Sequence, residues 1–227
     1  MRNMQIAVCF IASLLLLSGF SAGAQPSADL GRFVGAYKAT SIMVFHIRRD
    51  GSDLYLRPTG MQNEMALLQQ GANSFADTMS AGQFTFFGEG PDMVLTARNG
   101  SSVFHARRIS EQDARALEDA VAARIKAGVP SPGTDAYARR YISSLDKGVP
   151  NYDEMEPRVA DDVRSQLPSL VDQIHHFGAL QSLTFVSVTG NGMDLYKAQF
   201  EHARVMLGVA PLDAEGKVEF QSWSAIK

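Results

Sequence analysis

Ser144 and Lys147 stand in the spacing S-x-x-K, within the run Ser143-Ser144-Leu145-Asp146-Lys147-Gly148, which is the spacing of an acylating serine and its lysine. Such a serine sits at a helix N-terminus, where the backbone dipole favours an anion, and it works beside S-x-N or Y-x-N and K-T-G elements. Neither companion occurs in the chain, and Ser144 falls one turn before Gly148, at the C-terminal end of the helix predicted there. The match is read as a solvent-facing helix end. His175-His176 offers metal chemistry next, but adjacent helical residues point about 100° apart, and a chelating pair needs i, i+4 spacing. Both histidines suit the dipole of a helix ending before Gly178. His46 and His105 fall on strands with no acidic or histidine neighbour in frame and are read as structural or surface residues.

Asp153-Glu154-Met155-Glu156 and Asp161-Asp162 are dense in carboxylate but lack the order of a calcium loop, and they suit the starts of helices. Gly216-Lys217 lacks the preceding glycine of a phosphate loop, so no nucleotide or other cofactor is expected. The remaining candidates are aromatic. Tyr137, Tyr141, Phe185, Tyr196, Phe200 and Trp223, with Phe220, fall where they would line a hollow between helices and a curved sheet. A ligand-binding site is expected there if the hollow is open, and a packed core if it is filled. An enzyme would need an acid or base inside, and Asp194 and His202 are the titratable residues in that frame.

Residues 1–24 read as a secretory signal: Arg2 precedes the apolar stretch 6–17, and Ala22-Gly23-Ala24 suits a signal peptidase. No Leu-x-x-Cys frame surrounds Cys9, so no lipid anchor is expected, and no later segment is apolar enough to span a membrane. Removal of the leader leaves 20 basic against 24 acidic residues and no cysteine. That balance excludes the clustered basic excess of a nucleic-acid binder, a disulfide framework and a thiolate metal site.

The elements that position these residues fall into two parts. From residue 33 to 107, short two-periodic runs are punctuated by turns, with Met43, Phe45 and Ile47 alternating against Val44, His46 and Arg48. Asp50-Gly51 and Asn99-Gly100 are hairpin signals. About eight antiparallel strands are expected to close into a small all-β barrel over residues 29–109. At Ser110 the period changes. Ser110 with Asp113 marks a helix start, and the helix stops at Gly128. Residues 129–133, Val-Pro-Ser-Pro-Gly, are the expected linker, open to proteolysis, so that 110–133 is helix and linker. Helices follow from Asp135, from Pro157, and from or kinked at Pro168. After Gly178 strands return, giving an α+β roll of helices packed on a four-stranded antiparallel sheet over residues 134–227. Two domains are expected.

The first part resembles the lipocalin-like barrel module that follows the catalytic domain in some β-lactamase-related serine hydrolases. The resemblance is carried by Phe33-Val34-Gly35-Ala36-Tyr37, Leu54-Tyr55-Leu56 with Thr59-Gly60, Phe75, Phe84-Thr85-Phe86 and Phe104-His105-Ala106-Arg107-Arg108. The second part is similar to the cystatin-like or nuclear-transport-factor-2-like domains that accompany the same hydrolases, through Gly133-Thr134, Asn151-Tyr152-Asp153 with Met155, Gln166-Leu167-Pro168, residues 178–182, Tyr196 and Phe200-Glu201. In such relatives the chemistry belongs to a preceding hydrolase domain, and here the leader runs straight into the barrel. The resemblance therefore implies a secreted, periplasmic, non-catalytic binding or accessory protein, whose partner is a periplasmic protein or a small apolar ligand. The alternative it implies is a small pocket enzyme of the isomerase or SnoaL-like cyclase kind in the roll.

Overall fold

The computed structural model describes residues 29–80, 82–100 and 102–225. The expected leader, residues 1–24, lies outside them. Alternating apolar residues and tight turns build eight strands: β1 (Gly35–Thr40), β2 (Met43–Asp50), β3 (Asp53–Pro58), β4 (Met65–Gln69), β5 (Ser74–Asp77), β6 (Gln83–Phe87), β7 (Val94–Asn99) and β8 (Ser102–Ile109). Each pairs antiparallel with its neighbour, and β8 returns to β1 with Ala36 opposite Ile109. The sheet therefore closes and exposes no edge.

One end of the barrel is plugged. The helical turn Leu30–Phe33 packs where β1 begins, and Phe33 stacks on Phe86 with ring centroids 4.5 Å apart. The Tyr37 hydroxyl donates to the Phe33 carbonyl at 2.8 Å and accepts from Arg108 at 2.7 Å. Arg108 also donates to the carbonyls of Val34 and Gly90, which ties three chain segments across this end.

Helix α1 (Glu111–Ala127) starts at Ser110, whose hydroxyl accepts from the Asp113 amide, and stops at left-handed Gly128. Its apolar side covers the outer face of β1 and β2, where Ala36, Val44 and Ala114 form a buried cluster. This is why both faces of β2 are buried near its start, at Val44 and Phe45.

Helices α2 (Thr134–Asp146) and α3 (Pro157–Phe177) pack on a sheet of β9 (Leu180–Val188), β10 (Asp194–Phe200), β11 (Arg204–Val209) and β12 (Gln221–Ala225), in the order β12-β11-β10-β9. The fourth helix allowed for at Pro168 does not form; α3 runs unbroken through that proline. Val159, Val163 and Ile174 share one buried face from end to end, and their packing outweighs the hydrogen bond that proline cannot make.

The roll sits at the barrel end opposite the plug. Ile42, in the turn after β1, packs with Val121, Met193 and Ala210, and the Ser41 amide donates to Glu219 at 2.6 Å. Phe104 meets Phe220 with centroids 5.7 Å apart. Gly60 (φ +82°) touches Gly190 so closely that a Cβ there would lie 2.4 Å from the Gly190 carbonyl oxygen.

Asp194, at the start of β10, has no solvent exposure. Its carboxylate accepts from Arg124 of α1, the Ser131 amide and the Thr134 hydroxyl at 2.7, 2.7 and 2.8 Å. The exposed stretch 129–133 is therefore held at its centre, where the Ser131 amide is bonded to Asp194. Intact protein should resist limited proteolysis at residues 129–133. Asp194→Asn, which leaves Arg124 without its counter-charge, should expose that stretch to cleavage and cost about 3 kcal/mol in denaturant unfolding.

Candidate functional site

The plugged half of the barrel is filled by large rings: Phe33, Tyr37, Phe75 and Phe86 pack edge to face or stacked. Towards the other end the inward positions change character. Met43, Phe45, Leu56, Met65, Phe84, Ala97 and Phe104 surround a cavity of about 680 Å³ that opens between the strand ends. Ala97 is small, and methionines are flexible, so this half of the interior is not filled by its own side chains. Met61 and Met79 stand at the rim, 47% and 73% exposed.

Two loops and a turn shape the mouth. Thr59 closes the exit of β3, donating to the Val44 carbonyl and accepting from the Val44 amide at 3.0 Å. Asp77, at the end of β5, folds the next loop around its carboxylate. Oδ1 accepts from the amides of Met79 and Ser80, and Oδ2 from the Ser80 hydroxyl and the Gly82 amide. Burial works to raise its pKa, but these hydrogen bonds outweigh burial and hold it below the ordinary aspartate value. The third piece comes from the roll. Gly190 and Asn191 line the cavity from a turn braced by the Thr189 amide on the Met193 carbonyl and the Gly192 amide on the Thr189 carbonyl, both 2.8 Å.

The aromatic residues expected to line the hollow of the roll are distributed otherwise. Tyr137, Tyr141, Tyr196 and Phe200 lie in the buried core, with Phe185 and Trp223 packed against it. Tyr137 and Tyr141 stack at 6.0 Å, and the Tyr137 hydroxyl donates to Gln221 at 2.7 Å. Burial pushes both phenols well above their ordinary pKa. Tyr196 donates to Thr134 and packs on Phe185, while Phe177 sits between Phe200 and Trp223. What space remains is divided. A cleft of about 260 Å³ touches Tyr141, Phe220 and Trp223, and a separate one of about 470 Å³ reaches Phe200.

The chemistry candidates are engaged elsewhere. The Ser144 hydroxyl donates to the Tyr141 carbonyl at 2.7 Å near the end of α2. His175 meets the Asp146 carbonyl at 3.0 Å, and His202 is 65% exposed beside Glu201. Asp194 spends its carboxylate on the three donors already named. Glu154 pairs with Arg140, Asp161 with Arg164 and Asp162 with Arg158. His105 bonds Thr96, but His46 has an acidic neighbour after all: Glu118 of α1, 3.0 Å away, which also pairs with Arg57. Strand alternation has no term for a helix that arrives seventy residues later. The open barrel end was also missed. The signal for it is a set of methionines, Met43, Met61, Met65 and Met79, near successive turns at one end of the strand pattern.

Comparison with protein-family models, curated proteins and solved structures finds no match.

Two outcomes follow from this geometry. Asp77 contributes stability above its unfolded pKa, and that contribution is lost as pH falls through its depressed folded value. The turn at residues 78–80 should therefore stay closed at neutral pH and become protease-sensitive only below about pH 4, whereas Asp77→Asn should be sensitive at neutral pH. Phe200→Ala should cost about 3–5 kcal/mol in chemical denaturation, because a fully buried ring leaves a cavity in a packed core.

Proposed function

We propose that this is a secreted, non-catalytic binding or accessory protein whose barrel holds a small apolar ligand through its open end. The observation that carries this reading is the cavity of about 680 Å³, walled by Phe45, Leu56, Met65, Phe84 and Phe104. Eight strands enclose an interior that is either filled by side chains or holds one small ligand, and here the two halves divide those outcomes. The size falls within the roughly 300–1,000 Å³ range of small-molecule sites. The ligand gains by leaving water. The methionines let the walls adapt to a flexible chain or ring. Among the described lining residues Asp77 is the acid, with its oxygens already occupied by four donors, and Arg98 is a base at the exposed rim, so the walls suit an apolar body and leave a cation at the mouth.

Secretion, with the periplasm as the compartment, is supported by the leader pattern of residues 1–24 and by the resemblance to lipocalin-like and cystatin-like modules of serine hydrolases. The same resemblance supports an accessory role beside a periplasmic protein. The enzyme reading of the roll draws less support. Asp194 is buried but saturated, and His202 faces solvent.

The neutral fluorophore N-phenyl-1-naphthylamine should bind with a saturable rise in emission. Ala97→Phe places a ring in the cavity and should weaken that binding about tenfold or more, without lowering the melting temperature, since it fills space that is already open. Undiminished binding to Ala97→Phe would remove the barrel from the reading.

A further inference from the structure

The barrel cavity is apolar along its walls and basic at its lip. Ala97 and Arg98 are successive residues near the end of β7, and both line the cavity. Alternation turns buried Ala97 inward, so exposed Arg98 stands outside the apolar walls and beside the opening. An arginine at the end of a strand is long enough to lie over a rim while its methylene stem covers apolar surface. Most other arginines of the barrel are already engaged. Arg48 and Arg57 pair with Glu64 and Glu118, Arg49 with Asp29, Arg32 donates to Asn73, and Arg108 donates to main-chain carbonyls. Among the described residues Arg98 and Arg107 have no such partner, and of these two Arg98 alone lines the cavity. Asn99 follows it at the same lip, and Asn191 faces the opening from the roll.

Asp77 fixes where a ligand's charge can go. Four donors satisfy its oxygens, but its negative charge remains in the lining. A second anion between the walls would lose its water and meet that charge without a free donor to offset it. At the lip the same anion keeps part of its water and meets a guanidinium. Arg98 offers one positive charge there, against the one negative charge of Asp77, so a head carrying a single charge suits the mouth better than a dianion.

We propose that the ligand of the barrel is an aliphatic monocarboxylate, whose tail lies between the apolar walls and whose carboxylate stays at the mouth against Arg98. This rests on the reading of the barrel as a binding site and specifies what that site takes. A guanidinium presents parallel N–H groups that match the two oxygens of a carboxylate. In contact with water such a pair adds only modestly to affinity, whereas each methylene that enters the walls adds about fourfold. The tail therefore sets how tightly the ligand is held. Arg98 sets which end enters and the preference for an acid over an alcohol of the same length.

Displacement of N-phenyl-1-naphthylamine from the full chain tests it, with decanoate, octanoate and 1-decanol as competitors. Decanoate should displace the fluorophore, and octanoate, two methylenes shorter, should do so about tenfold or more weakly. Arg98→Gln should weaken decanoate about threefold to tenfold more than it weakens 1-decanol. Arg98→Lys should recover most of that loss, and Arg107→Gln, which removes the same charge away from the cavity, should have no effect. Added salt should weaken decanoate and spare 1-decanol. Failure of decanoate to compete overturns the proposal, as does an Arg98→Gln effect that is equal for acid and alcohol. In either case fluorophore binding that is lost in Ala97→Phe leaves the barrel reading standing. A fluorophore that does not bind wild-type protein at all removes the barrel reading and this ligand with it.

Discussion

A carboxylate without solvent must be satisfied inside the protein, and the way Asp194 meets that requirement organises the molecule. Its three donors come from α1, from the stretch after α1 and from the first turn of α2. Such a charge is costly when any partner is missing and unremarkable in energy when all are present. Its structural effect is larger than its net energy. It fixes where β10 begins relative to α1, and α1 is itself seated on β1 and β2 through Ala114 against Ala36 and Val44. The turn just before Asp194 is thereby carried to the barrel mouth, where Gly190 meets Gly60 backbone to backbone. Side chains at those two positions would hold the sheets apart.

The barrel obeys a second constraint. A closed sheet has a fixed interior, and the chain must fill it or leave space. At the plugged end the filling is aromatic and tied by hydrogen bonds, with Arg108 gathering carbonyls from segments distant in sequence. Towards the roll methionine and alanine stand among the inward Phe and Leu residues, and two polar groups of the rim are turned on the rim itself. Asp77 closes its own loop and Thr59 closes its own strand end. The mouth keeps its shape from bonds within the rim, and no ligand is required to hold it.

How much of this was legible depended on whether the signal was local. The eight barrel strands, the turns at Asp50-Gly51 and Asn99-Gly100, the start of α1 at Ser110 and its stop at Gly128 all rest on neighbours in sequence, and each appears close to where the residues placed it. The last strand of the roll, expected at Val218–Phe220, lies instead at Gln221–Ala225. Pro168 misled because propensity weighs one missing hydrogen bond and cannot see the face shared by Val159, Val163 and Ile174. Asp194 was visible as a residue in the packed frame of β10, but its burial depends on Arg124, seventy residues earlier. His46 with Glu118 fails in the same way. The filled state of the roll could not be read from Tyr137, Tyr141, Tyr196 and Phe200, since a stripe of aromatics looks the same in a core and around a pocket. The open state of the barrel needed volumes, which a pattern of apolar residues does not contain.

The distribution of polar chemistry supports the proposal of binding over catalysis. A reactive group must be within reach of a substrate and not consumed by its neighbours. Ser144, His175 and Asp194 are bonded into helix ends and junctions, and the phenols of Tyr137 and Tyr141 are pushed by burial away from any useful titration. The barrel cavity is walled instead by Phe, Leu and Met. What such a surface offers a ligand is removal from water, at about 25 cal/mol for each Å² of apolar area covered. A ligand covering roughly 250 Å² there gains about 6 kcal/mol before its own losses of freedom, enough for reversible capture and release. A reversible carrier or sensor needs affinity of that order, and it needs no reactive group at all.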